Sequence, residues 1–300
     1  MKFAVIGSIN TDLVINTDRV PKIGETISGK GFSTNCGGKG ANQAIAAAKI
    51  GGDVSFIGAV GNDANGDVAI ENFKKFGIQT DSVERVKTNT GVAVITVCNG
   101  DNSIILDAGA NGEVTKELID KNMDVIRAAD AIIMQLEIPM ETVIYAAKRA
   151  REEGVKVVLN PAPIVKLPEE LLSNTDVIIL NETETEVLTK VYPDTDENRK
   201  KCMDILTGLG IGQVIITLGG DGSVYNDGDE MVHQNAFKTT VVDTTAAGDT
   251  FIGAFCMKMN GDLKEAVRYA TAASSITVSR AGASESIPSK EEVEEKLKSL

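Results

Sequence analysis

Two short segments carry residues whose types and spacing could do chemistry on a phosphate. The first is Asp243-Thr-Thr-Ala-Ala-Gly-Asp249-Thr-Phe. Beyond it Ile252, Phe255, Cys256 and Met259 recur at helical spacing, which predicts a buried helix beginning near Gly248. The small residues Ala246, Ala247 and Gly248 leave backbone amides bare at the positive end of that helix, where an anion is stabilised. Asp249 then falls in the first turn, beside the anion. A carboxylate there would repel phosphate, so as pure structure it is an odd choice. It makes sense as a base that takes a proton from an attacking hydroxyl during in-line transfer. The plainer reading is that Asp249 only caps the helix.

The second segment is Cys36-Gly-Gly-Lys-Gly-Ala-Asn-Gln-Ala, at the start of a helix with an apolar stripe of Ala41, Ala44, Ile45 and Ala48. Gly37, Gly38 and Gly40 permit close backbone approach, and Asn42 projects an amide suited to hydroxyl groups. Lys39 has two readings, a phosphate contact or a solvated surface lysine. Polar residues also follow apparent strands: Asn10 and Asp12 after FAVIGSI, and Glu137 after MQL. Each could equally be an ordinary loop residue. Asn181 and Glu184 in NETE begin another helix, where capping is the plain alternative. Thr217, Leu218, Gly219, Gly220, Asp221 and Gly222 follow a further strand and read as a nucleotide border or a simple glycine turn.

Two other phosphate patterns fail. Gly24 to Lys30 resembles a nucleotide-binding glycine loop, but Gly31 stands where the magnesium-binding hydroxyl belongs and no helical pattern follows. No Gly-x-Gly-x-x-Gly opens the first strand–helix unit. With one histidine, His233 in an apparent strand, and four widely spaced cysteines, a zinc site of several Cys and His ligands is excluded. Acid–base chemistry therefore falls to carboxylates.

The elements that must position these residues read as an α/β protein. Apolar, β-branched runs at 3–7, 12–16, 54–60, 91–97 and 103–108 predict strands, and the last two, joined by CNGDN, predict a hairpin. From 113 onward helical stretches at 113–130, 140–154, 167–174 and 197–210 alternate with strands at 131–136, 155–160, 176–180 and 213–218. That alternation predicts a mostly parallel sheet covered on both faces, with ligands beyond the carboxyl ends of its strands. The early segments 12–16, 25–34, 91–97 and 103–108 do not fit and are expected to form a small β lid.

Composition sets bounds. The 300 residues are 42% hydrophobic and 24% charged, as in globular chains, and no apolar run approaches the ~20 residues of a membrane helix. The N-terminus MKFAVIGSIN holds too short an apolar run for a signal peptide and reads as a first buried strand. A net charge of −13 argues against nucleic acid and anionic membrane as partners. Bound ATP needs only amides, a helix N-terminus and Mg²⁺. Reduced, unpaired thiols in a cytoplasm are expected.

In order along the chain, GGKGANQA and DTTAAGDTF resemble the two signatures of the ribokinase/phosphofructokinase-B family of sugar kinases. SINTDLV, DAGAN, QLE, NPAP, NETE, TLGGDG and SRAGASESIP extend the resemblance over nearly the whole chain. It implies one α/β domain over 1–300, a three-layer α/β/α sandwich with a β lid from about 9–17, 24–36 and 89–109. It implies ATP-dependent phosphorylation of D-ribose at the 5-hydroxyl, with another sugar or a nucleoside, or a non-catalytic binder, as alternatives. Asn10, Asp12, Gly38, Lys39, Gly40, Asn42 and Glu137 would hold the sugar, with Asp249 as base and amides 246–248 as anion hole. Asn181 and Glu184 would organise Mg²⁺-bound water, and residues 217–222, Gly248 and Thr271 would border ATP. Potassium would sit against Asp243, Thr245, Thr277, Arg280, Gly282 and Ser286. The resemblance further implies a homodimer paired through the lid.

Overall fold

The computed structural model describes residues 1–98 and 101–299. The first part holds strands Lys2–Ile6 (β1), Asn10–Thr17 (β2) and Lys30–Gly37 (β3), then helix Lys39–Lys49 (α1). Strand Asp53–Gly61 (β4), helix Ala64–Lys75 (α2) and strands Val83–Val86 (β5), Gly91–Cys98 (β6) and Asp101–Asp107 (β7) follow. Helices Lys116–Lys121 (α3) and Met123–Arg127 (α4) lead to strand Ala131–Met134 (β8) and helix Met140–Glu152 (α5). Next come Lys156–Leu159 (β9), Glu169–Ser173 (α6), Val177–Asn181 (β10), Glu182–Thr189 (α7) and Asp196–Gly208 (α8). Strands Gln213–Thr217 (β11), Ser223–Asp227 (β12) and Glu230–Gln234 (β13) precede helices Ala247–Lys258 (α9), Leu263–Thr277 (α10) and Lys290–Lys298 (α11).

Nine strands form the central sheet in the order β13-β12-β11-β10-β9-β8-β1-β4-β5. Its pairings are parallel except for those of β12 with β11 and β13. Side-chain alternation divides the interior in two. In β1, Phe3 and Val5 pack into the layer containing α1, α2, α9 and α10, while Ala4 and Ile6 pack into the layer containing α3, α5 and α8. Strands buried on both faces read as continuous apolar runs, which is why the parallel sheet is legible. A second sheet of order β3-β2-β6-β7 stands apart from it.

Two boundaries differ from expectation by more than a residue or two. The helical stretch expected at 113–130 is broken at Asn122, whose side-chain amide donates to Leu118 O and whose backbone leaves helical geometry. The lid strand expected at 25–34 runs instead over Lys30–Gly37, because Lys22 to Glu25 close a turn braced by an Arg19–Glu25 ion pair. The hairpin of β6 and β7 is present, but part of its expected CNGDN turn lies outside the described residues.

Candidate functional site

Helix α9 starts at Ala247, one residue ahead of the expected Gly248. Ala246 caps it with φ at +59°, the left-handed region that side chains seldom adopt. That backbone outlier turns the chain sharply into the helix. The amide of Ala247 donates to Thr244 O at 3.2 Å, so it belongs to the turn and is not bare. The amides of Ala246, Gly248 and Asp249 have no backbone acceptor among the described residues. The bare donors of the helix's first turn therefore lie at 248 and 249, where the helix dipole adds to them.

Asp249 is buried, and both of its carboxylate oxygens are held from α1. Asn42 Nδ2 donates to Oδ2 at 3.2 Å and Gln43 Nε2 donates to Oδ1 at 3.0 Å. The meeting is set by helix packing one turn further on. A Cβ added to Gly253 would lie 2.6 Å from Ala46 Cβ and 2.7 Å from Ala47 N. Asp249 precedes Gly253 by four residues, as Asn42 and Gln43 precede Ala46 and Ala47, so the close approach brings the polar trio together. Gly253→Val is expected to force the helices apart, to cost about 1–3 kcal/mol in thermal denaturation, and to lower turnover with it. Wild-type stability in that variant would contradict the packing argument.

Several of the residues expected to hold the sugar gather around Glu137, which follows β8. Its Oε2 accepts from Ser8 Oγ at 2.5 Å, from Lys39 N at 3.1 Å and from Asn10 Nδ2 at 3.4 Å. Asn111 braces this corner by donating to Asn10 Oδ1 and to Ile9 O while accepting from Ile9 N. The glycines of the second segment serve this packing. A Cβ at Gly40 would sit 2.5 Å from Ser8 N, one at Gly38 2.9 Å from Ser8 O, and one at Gly37 2.1 Å from the Asp12 carboxylate. Gly38 also has φ at +94°. Gly40 N donates to Ser8 Oγ at 3.2 Å, so its amide is committed to the protein. Burial, with the charges of Glu137 and Asp249, pushes Asp12 up to about 7.

A cavity of ≈ 220 Å³ joins Asp249 to the strand ends of β10 and β11, with Lys39, Asn181, Glu184, Thr217 and Ala246 among its walls. A second, of ≈ 360 Å³, opens from Asn10 and Glu137 toward Leu106, Ile138 and Pro139. Burial works against the Lys39 charge, but Asp249, Glu137 and Glu184 outweigh it and hold the ammonium above its ordinary range. The capping reading of Asn181 and Glu184 holds as geometry: they form a capping box at α7, with Asn181 N 2.9 Å from Glu184 Oε2. Burial raises the Glu184 carboxyl, partly offset by the Asn181 amide and Lys39.

Other expected residues lie outside the ≈ 220 Å³ cavity. Leu218 is buried, Gly219 to Asp221 form a 3₁₀ turn, and Gly222 has φ at +97° where a Cβ would strike Gln234 O. Thr271 is buried on α10 with its hydroxyl turned back onto Val267 O. Behind the α9 turn, Asp243 Oδ1 accepts from Thr245 N and Oγ1, and Oδ2 accepts from Gly282 N. Those bonds outweigh partial burial and hold the Asp243 carboxyl low, so it stays charged. Thr277 bonds Thr250 across α9 and α10, Ser286 Oγ donates to Ala283 O, and Arg280 is engaged by Glu292. Ser8, Gln43, Asn111, Gln135 and Asn160 were not expected at the site. Each stands inside a segment that carries the family resemblance, Ser8 in SINTDLV, Gln43 in GGKGANQA, Asn111 in DAGAN, Gln135 in QLE and Asn160 in NPAP, but none has a residue type or position that singles it out there.

A carboxylate beside bare amides, a lysine and a polar cavity suits transfer of an anionic group to a hydroxyl. Comparison with known proteins agrees. The model of the pfkB family carbohydrate kinases matches residues 1–290. A ribokinase of Staphylococcus aureus is 40% identical over 301 residues, covering 97% of this chain and 98% of that protein. A deoxyribokinase of Salmonella typhi is 38% identical over 302 residues, covering 99% of each. The solved structure of Arabidopsis thaliana ribokinase complexed with ribose and ATP superposes with a TM-score of 0.93 at 37% identity, covering 99% of this chain and 98% of that one.

Proposed function

The chain belongs to the pfkB family of carbohydrate kinases, and we propose on that footing that it transfers the γ-phosphoryl group of ATP to the 5-hydroxyl of D-ribose, giving D-ribose 5-phosphate and ADP. It is a phosphotransferase with an alcohol group as acceptor. The observation that carries the mechanism is the buried Asp249, clamped through both oxygens beside the bare amides of Gly248 and its own N–H. Asp249 takes the proton of the 5-hydroxyl as that oxygen attacks the γ-phosphorus, and the amides stabilise charge on the phosphoryl oxygens. Lys39 adds a point charge on the same side.

Asn10, Asp12, Gly38, Asn42 and Glu137 hold the remaining hydroxyls in this reading. The place of Asn42 beside Asp249, to whose Oδ2 its amide donates, supports it. Asn181, Glu184, Thr217 to Gly222 and Thr271 serve the nucleotide side. The oxygens of Asn181 and Glu184 in the cavity wall would hold water around Mg²⁺ carried by ATP, and the ion would neutralise phosphate charge. The charged Asp243 and the carbonyls near Thr245, Thr277, Arg280, Gly282 and Ser286 likewise fit potassium, because Glu292 already engages the Arg280 guanidinium. Exposed apolar residues on the lid, Phe32, Ile104 and Ile105, suit a homodimer paired there, and free thiols suit a cytoplasmic setting. No helix among the described residues is long and apolar enough to cross a membrane.

The deoxyribokinase relative makes deoxyribose the second reading. Coupled ADP release measured on ribose, deoxyribose, fructose and adenosine, with and without K⁺, separates them. Fastest turnover on ribose is expected, and fastest turnover on another acceptor would overturn the assignment.

Asp12 gives a pH prediction. A sugar hydroxyl donates to the ionised carboxylate, so the KM for ribose should rise as pH falls below about 7 and level off above it. For folding the sign is opposite. Between its ordinary value of 3.8 and about 7 the folded chain holds a proton that the unfolded chain has released. That stability is lost as pH rises through about 7, so Asp12→Asn should stabilise the ligand-free protein most at alkaline pH, in thermal denaturation followed across pH. A variant no more stable there than wild type would contradict the raised carboxyl.

A further inference from the structure

Asp249 rests on a chain of amides buried beneath it. Gln43 Nε2 donates both to Asp249 Oδ1 at 3.0 Å and to Asn160 Oδ1 at 3.2 Å. Gln43 Oε1 in turn accepts from Gln135 Nε2 at 2.5 Å, and Asn160 Nδ2 is anchored on Ile179 O at 3.0 Å. Gln43 and Gln135 are fully buried, out of contact with bulk water. Gln135 Oε1 has no partner among the described residues and faces Gly7, where an added Cβ would lie only 2.1 Å away. An orphaned buried acceptor is unfavourable, and it calls for a reason.

The polarity of the chain supplies that reason. An ionised carboxylate offers only acceptors, so Gln43 must turn its NH₂ toward Asp249. Its carbonyl oxygen then faces Gln135 and demands a donor, which fixes Gln135 with NH₂ inward and oxygen outward. Reversing Gln135 alone would set two carbonyl oxygens against each other. Reversing both would set the Gln43 oxygen against the oxygens of Asp249 and Asn160. Only the observed order satisfies the base, and it leaves the unpaired atom at the far end.

We propose that Gln43, locked by Gln135, is the positioning residue for the base. It pins Oδ1 of Asp249 and so fixes the rotation of the carboxylate, leaving Oδ2, on the Asn42 side, to meet the sugar hydroxyl. Neither glutamine lines the cavity above Asp249, so both act through the aspartate. The proposal rests on Asp249 being the base, and the test separates the two.

Gln43→Leu keeps nearly the same volume and removes the donor. Its kcat should fall about ten- to a hundredfold, the worth of one hydrogen bond to a charged group, while the KM for ribose stays within about twofold. Gln135→Leu should fall less, because Gln43 keeps its donor and loses only its lock. In an Asp249→Asn background, Gln43→Leu should cost nothing further, since the group it positions is gone. Ribose affinity by calorimetry and the thermal midpoint identify folded variants; if Gln43→Leu does not fold, Gln135→Leu carries the same cycle. Equal losses from Gln43→Leu with and without Asp249 would mean a purely structural role and overturn the proposal. Unimpaired Gln43→Leu beside an inactive Asp249→Asn would overturn it while sparing the base. A fully active Asp249→Asn would instead remove the base itself.

Discussion

Asp249→Asn is expected to lower kcat by about 10²–10⁴-fold, the range that a positioned proton acceptor contributes. The substitution keeps shape and volume, so the packing of α9 on α1 survives and the KM for ribose should change little. What changes is chemistry at two atoms. An amide cannot take the hydroxyl proton, and its NH₂ must oppose either Asn42 Nδ2 or Gln43 Nε2, both of which donate to Asp249 in the wild type. Steady-state turnover with saturating ATP is the measurement. A loss below about threefold would mean that Asp249 is a cap and that the hydroxyl needs no base.

The second large effect concerns the amides. Gly248→Pro deletes one N–H in the first turn of α9, a place where no intrahelical bond is lost because that amide has no acceptor. Proline at this point disfavours the helical conformation of Ala247 to some degree, so the thermal midpoint is measured alongside. Turnover should fall by about 10²–10³-fold, as when one donor of an oxyanion hole is removed. Gly248→Ala is the control: its Cβ meets nothing within 4 Å and its N–H is kept, so it should lose much less. Equal losses in the two would shift the anion site away from this amide.

Much of this arrangement was legible in the sequence, for identifiable reasons. Strands such as Val177–Asn181 are buried on both faces and show as unbroken apolar runs. Asp249 stood out because a carboxylate at a helix N-terminus built from small residues conflicts with an anion site unless it has work there. Gln43 did not stand out. The apolar stripe of α1 suggests a helix with one buried side, yet Gly40 through Ala47 are all buried, because α1 packs against both the sheet and α9. A glutamine on its expected outer face is in fact interior, and only tertiary structure shows it. Ala247 was misjudged for a related reason. A small residue leaves room for a bare amide, but the left-handed backbone of Ala246 bends that amide onto Thr244 O. The pairing of Ser8 with Glu137 has no local signature, although each stands in a segment the sequence singles out, since they meet only when β1 and β8 pair side by side.

The most direct test of the central claim is identification of the product. The protein is incubated with ATP, Mg²⁺, K⁺ and isotopically labelled ribose, and the phosphate is located by phosphorus–carbon coupling in NMR while ADP is counted. Expected is one ADP per sugar phosphate, with phosphorus coupled to C5 of ribose and no accumulation of free phosphate. Phosphate on another hydroxyl, or ADP released without a phosphorylated sugar, would contradict it.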